Sequence, residues 1–161
     1  MRDERVNRIL VNGGSSVNLL PICIGKELGI PINKLLESRV MIQRYNQGGQ
    51  RAIGAIRLGI TIEDMQSNAW LHVIDVKTSY NVLLGRPWIH ENKVVPSTYH
   101  QYLKYYEGEV EKKIVSDDDP FTDAGSHFAD AKFYLKNRIV KELKANDVMK
   151  SKNDPRLKEL K

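Results

Sequence analysis

Arg8-Ile9-Leu10-Val11-Asn12-Gly13-Gly14-Ser15-Ser16-Val17-Asn18-Leu19-Leu20 is the stretch that decides the fold, because in it two short apolar runs meet at a polar turn of glycines and serines. Glycine adopts backbone conformations closed to other residues and lets a second backbone approach closely. A turn of this kind between buried strands holds Asn12 at the tip of a rigid loop. A related apolar-apolar-glycine segment follows far downstream, Val82-Leu83-Leu84-Gly85-Arg86-Pro87-Trp88. It predicts a short buried strand ending on Gly85, then a helical turn opened by Pro87 and carrying Trp88 as a core anchor.

The intervening sequence reads as further strands. Val6 to Val11 and Val17 to Leu20 flank the glycine turn, and the segment from Pro21 to Leu28 reads as a short helix stopped by Gly29 and Pro31. Arg39 to Tyr45 is β-prone and is followed by the turn Asn46-Gln47-Gly48-Gly49-Gln50, a hairpin signal. Ile56, Leu58, Ile60 and Ile62 alternate with Arg57, Gly59, Thr61 and Glu63, the period-two pattern of a strand with one wet face. Asp64 to Asn68 is expected to turn, and Ala69 to Val76 to run as a central strand. Gln101 to Tyr106 and Glu109 to Val115, joined at Glu107-Gly108, predict a polar closing hairpin at a sheet edge. Many short strands with one or two short helices predict a mainly β domain, closed as a barrel or sandwich.

The character changes at Ser116-Asp117-Asp118-Asp119-Pro120, an acidic run ended by proline. We place the expected boundary there: a domain over 1–115, then over 116–161 an acidic linker and a basic, partly helical tail. Phe128, Ala131, Leu135, Ile139 and Leu143 recur at helical spacing, predicting an amphipathic helix over 127–145. The net charge of +5 sits in this tail, since residues 132–161 carry 10 Lys/Arg against 4 Asp/Glu while residues 1–131 carry 15 against 16. Spread-out lysines with few aromatics suit weak nucleic-acid contact at most. No apolar run is long enough to span a bilayer, and the opening Met1-Arg2-Asp3-Glu4-Arg5 lacks the pattern of a secretory signal. The expected setting is intracellular and cytoplasmic, without membrane attachment.

The two glycine segments, in this order and with a glycine-rich hairpin between them, resemble the retropepsin-like aspartic proteases of gypsy-type plant retrotransposon polyproteins. The resemblance covers roughly residues 5–115. It implies one lobe of the acid-protease fold and a homodimer in which each chain supplies one catalytic aspartate to a groove that holds an extended peptide. Asn12 stands at the position of that aspartate, with Gly13 and Gly14 completing the motif. Gln47, Gly48, Gly49 and Gln50 would form the flap over the substrate, and Ser15, Ser16, Leu83, Leu84 and Gly85 would support the catalytic loop.

Two departures from the family pattern carry chemical weight. Aspartic proteolysis needs two carboxylates sharing one proton around a water. A carboxamide neither shares that proton nor serves as a base, so the expectation is an endopeptidase domain that is inactive as written. Gly13 replaces the Thr or Ser of the commoner motif and removes a hydroxyl that braces the paired loops. The chain also begins close to the first strand, so the outer N-terminal strand of related dimers is expected to be short or absent. A non-catalytic peptide-binding or self-associating module is the alternative reading.

No cofactor or metal is expected. His72, His90, His100 and His127 lack metal-ligand spacing with one another or with Cys23, the single cysteine. Cys23 itself, set among apolar residues, reads as an inert buried thiol.

Overall fold

The computed structural model describes residues 5–43 and 48–117, and these are mainly β with two short helices. The strands are β1 Ile9–Val11, β2 Leu19–Pro21, β3 Met41–Gln43, β4 Gly49–Arg51, β5 Gly54–Ile62, β6 Met65–Ile74, β7 Val82–Leu84, β8 Val95–Ser97, β9 Tyr102–Glu107 and β10 Val110–Val115. Helix α1 covers Ile22–Glu27, helix α2 covers Arg86–Glu91, and a 3-10 turn spans Ile32–Lys34. The helix expected over 127–145 lies outside the described residues.

The largest sheet has five strands in the order β1-β7-β2-β6-β5. Strand β7, remote in sequence, lies between the two strands that flank the glycine turn. It runs parallel to β1, with Leu10 opposite Leu83, and antiparallel to β2, with Leu19 opposite Leu83. Strand β2 in turn runs parallel to β6. Strands buried on both faces read as continuous apolar runs, and β2 and β7 do so. Leu20 and Leu84 enter a main core with Leu71, Trp88, Tyr105 and Ile114, while Leu19 and Leu83 pack with Ile74 in a smaller cluster on the other face.

Helix α2 pins this arrangement. Trp88 is fully buried, and its indole N–H donates to Ser67 Oγ at 3.0 Å, so the largest core side chain also has its polar atom satisfied. Helix α1 stops as expected at Gly29, whose φ of 66° is the left-handed conformation of a helix end; its N–H donates to Lys26 O and that of Ile30 to Gly25 O. Pro21 lies one residue ahead of this helix as the last residue of β2.

Three expectations change. The sheet does not close: a three-stranded sheet, β10-β9-β8, and the β3-β4 pair stand as separate sheets among the described residues. Strand β6 starts at Met65, within the expected turn, because the two residues Glu63-Asp64 suffice to reverse the chain, with Glu63 at φ 51°. Met65, Ser67, Ala69 and Leu71 are then buried on one face opposite exposed Gln66, Asn68 and Trp70. Cys23 is exposed: with Lys26 and Glu27 it forms the outer face of α1, at the spacing of adjacent helical turns. The polar hairpin β9-β10 forms, and it contributes Tyr105 and Ile114 to the main core. Among the described residues no helix is long and apolar enough to cross a membrane.

Candidate functional site

The turn from Asn12 to Ser16 is tied to β7 and to itself. The Asn12 N–H donates to Leu84 O at 2.9 Å, continuing the β1-β7 pairing one residue past the strand. The Ser15 N–H donates to Asn12 O at 3.1 Å, and the Arg86 N–H donates to Ser15 O at 2.8 Å, which joins the far side of the turn to the start of α2. Ser15 Oγ donates to Val17 O at 2.7 Å and accepts from the Val17 N–H at 3.3 Å. Ser15 therefore braces its own loop. Ser16 is exposed.

Asn12, Gly13 and Gly14 are exposed at the tip. The Gly14 N–H donates to Asn12 Oδ1 at 2.8 Å, folding the carboxamide back over the turn. A Cβ on Gly13 would meet nothing within 4 Å, whereas one on Gly14 would lie 3.1 Å from Asn12 Oδ1.

Beneath the turn lies a residue that sequence reasoning missed. Asn18 is buried, and both ends of its carboxamide are used: Oδ1 accepts from the Gly85 N–H at 2.8 Å, and Nδ2 donates to Trp70 O at 2.9 Å. Its backbone carbonyl also accepts from the His72 N–H. One side chain thus ties β2 to the end of β7 and to the middle of β6. The signal was a lone polar residue inside Val17-Asn18-Leu19-Leu20, which marks a buried group that must find partners.

Gly85 closes the arrangement. A Cβ there would lie 2.3 Å from Val17 O and 2.8 Å from Ser15 O, both backbone atoms, so only glycine lets the two segments touch. The structure thus brings Asn12 to Ser16 and Leu83 to Gly85 into one hydrogen-bonded unit.

The other expected site residues are not drawn into that unit. Gly49 and Gln50 lie on β4, paired with β3 through Met41 to Gln43, and Gly48 precedes them at φ 68°. Gln50 Nε2 donates to Asp75 O at 3.3 Å rather than to the glycine turn. Gln47 lies outside the described residues. A shallow open depression elsewhere on the molecule is lined by Met65, Gln66, Asn92, Tyr105, Tyr106 and Glu107 and holds none of the expected site residues.

On the strand beside Asn18, His72 is paired with Ser38. Ser38 Oγ lies 2.9 Å from His72 Nδ1, and partial burial lowers the His72 pKa below its ordinary value of 6.5. Among the described residues no group of three His, Cys, Asp or Glu side chains is placed to hold a metal ion.

The fold and site define a mainly β domain that presents an asparagine on a loop braced by an inserted strand. A solved structure, the retroviral protease-like domain of Ddi1 from Leishmania major, is similar to this chain with a TM-score of 0.46 and 13% identity, over 60% of this chain and 74% of that one. No family model matches the chain. No curated protein matches it either.

Proposed function

We propose that residues 1–115 are a retropepsin-like aspartic endopeptidase domain of retrotransposon origin, of the gypsy type found in plants, inactive with Asn12 in the place of the catalytic aspartate, and that residues 116–161 form its connector. The observation that carries this reading is the threading of β7 between the strands on either side of Asn12, which presents one side chain at the tip of a loop anchored at Leu84 and Gly85. A loop so built suits a reaction in which two copies of one group must face each other at a fixed distance.

In that reaction, two chains meet about a two-fold axis and their acids lie roughly 3 Å apart. One carboxylate takes a proton from water while the other, protonated, donates to the scissile carbonyl. Asparagine holds the place without the proton chemistry: its Oδ1 accepts and its Nδ2 donates, but neither exchanges a proton at neutral pH. The peptide would lie extended between the chains, beneath the hairpin carrying Gly48, Gly49 and Gln50.

Restoring the acid tests this. The Asn12→Asp variant is expected to cleave members of a peptide library at mildly acidic pH, to bind a statine-type inhibitor and to sediment as a dimer. Failure of that variant both to cleave and to bind the inhibitor overturns the reading.

A second reading keeps the fold without hydrolysis, as a peptide-binding or self-associating module. Asn12 itself favours it, since a carboxamide hydrogen-bonds in both directions and can hold a peptide backbone or a second copy of the loop. Peptide affinity that is equal for Asn12 and Asn12→Asp, with no cleavage by either, is its signature.

A further inference from the structure

We infer that Asn12 is a self-modification site: its carboxamide is converted to a carboxylate by attack of the adjacent Gly13 backbone nitrogen, with water as the only co-reactant. Asn12 is the one asparagine in the chain followed by glycine. The structure adds four features that favour reaction at this residue.

The nucleophile is bare. Gly13 has no side chain to shield its nitrogen, and nothing lies within 4 Å of the place a Cβ would take. The carboxamide is held over the Gly13 peptide rather than left free in solvent, because the bond from the Gly14 N–H to Asn12 Oδ1 closes a ring that spans that peptide. The same bond, at 2.8 Å, polarises the side-chain carbonyl and is aimed at the oxygen on which negative charge develops. The tip is exposed, so solvent base and water both reach it.

The steps balance without any oxidant or reductant. Gly13 N loses its proton to solvent base and bonds to Asn12 Cγ, giving a tetrahedral centre whose oxygen faces the Gly14 N–H. The Cγ–Nδ2 bond then breaks and ammonia leaves, producing a five-membered succinimide. Water adds to one of its two carbonyl carbons. Opening of the bond between Cγ and the ring nitrogen yields aspartate in an unaltered backbone; opening on the other side yields isoaspartate.

Asn18 is the built-in contrast, and it falls in the same tryptic peptide, Ile9 to Lys26. It is followed by a leucine, it is buried, and both ends of its carboxamide are engaged by partners remote in sequence. It should stay an amide while Asn12 converts.

The modification stands apart from the proposed peptidase reading, and only its consequence, the recovery of a catalytic acid, rests on that reading. The experiment incubates the folded full chain at neutral and mildly alkaline pH and follows that peptide by mass spectrometry, with fragmentation that separates aspartate from isoaspartate. The expected result is a time-dependent amide-to-acid mass increment confined to Asn12, faster at the higher pH. It should be slowed severalfold in Gly13→Ala, whose methyl group crowds the attacking nitrogen and which the open space at Gly13 accommodates. Asn12→Gln, whose longer side chain would have to close a slower six-membered ring, should hold its amide.

An Asn12 that stays an amide in the folded chain while urea-unfolded chain converts overturns the inference, as does an undiminished rate in Gly13→Ala. Peptidase activity assayed alongside keeps the two ideas distinct. Conversion without activity, with Asn12→Asp also inactive, removes the peptidase reading and leaves the modification. An active Asn12→Asp beside an unconverted Asn12 removes the modification and leaves the peptidase reading.

Discussion

Asn12 and Asn18 flank the same glycine turn and share one chemistry, yet the fold uses them in opposite ways. Asn12 is exposed, and its side chain is bonded only within its own turn. Asn18 is buried, and its side chain spans β2, β6 and the end of β7. The tip and its base are therefore separate designs: the base holds the geometry through long-range bonds in a dry environment, and the tip displays a side chain whose identity the geometry does not need. The side chain at such a tip can be exchanged without breaking the base, because no long-range hydrogen bond of the base runs through it.

Variants can break this contrast, and Gly85 should break it hardest. Gly85→Ala places a Cβ within 2.3 Å of Val17 O, so one backbone must move and the Asn18–Gly85 bond is lost with it. A loss of about 3 kcal/mol or more in chemical denaturation is expected. A loss below about 1 kcal/mol would show the base to be far more yielding than its contacts imply.

Asn18→Ala should follow. It leaves the buried Gly85 N–H without an acceptor and frees Trp70 O, with an expected cost of about 2 kcal/mol. Comparing Asn18→Ala with Asn18→Asp sharpens the account. A carboxylate keeps the acceptor for Gly85 but cannot donate to Trp70, so it faces a carbonyl with like polarity and gains charge in a buried place.

His72, on the strand beside Asn18, gives a pH-dependent effect of smaller size. Its folded pKa is lowered, by burial, from 6.5, so the unfolded chain binds a proton more readily. The contribution is full above about pH 6.5 and is lost as pH falls from there towards the lowered folded value. Titrating stability in the wild type and in His72→Gln should show this slope only in the former.

Smallest of all should be Asn12→Asp. It keeps the oxygen that accepts from Gly14 and sits in solvent, so stability of the single chain should change by less than about 0.5 kcal/mol. A large loss in that variant, measured on the monomer, would mean that the tip and base are coupled after all.

Much of the fold was legible because its signals are local. The alternation from Ile56 to Ile62 is a property of consecutive residues, and it stands in β5 as expected. The stop at Gly29 and the burial of Trp88 were equally readable, one from a conformational preference and the other from size. The start of β6 was not, since Met65-Gln66-Ser67-Asn68 is polar in composition and only pairing with β5 makes it a strand. Strand β8, three residues containing Pro96, gave no pattern at all. In the candidate site, the turn and its partner segment could be named from their glycines; the one sign of Asn18 was a lone polar residue in an apolar run, and which groups it bonds depends on partners far along the chain.

By itself, the amino-acid sequence determined a mainly β domain and an exposed Asn-Gly-Gly turn, with carboxamide chemistry in the position where the resemblance places an acid. These follow from propensities and side-chain chemistry that act over a few residues. Only the tertiary structure decided that β7 passes between β1 and β2, that Gly85 is the point of closest approach, and that Asn18 anchors the turn. Those outcomes depend on burial and on hydrogen bonds between segments dozens of residues apart, which no local pattern encodes.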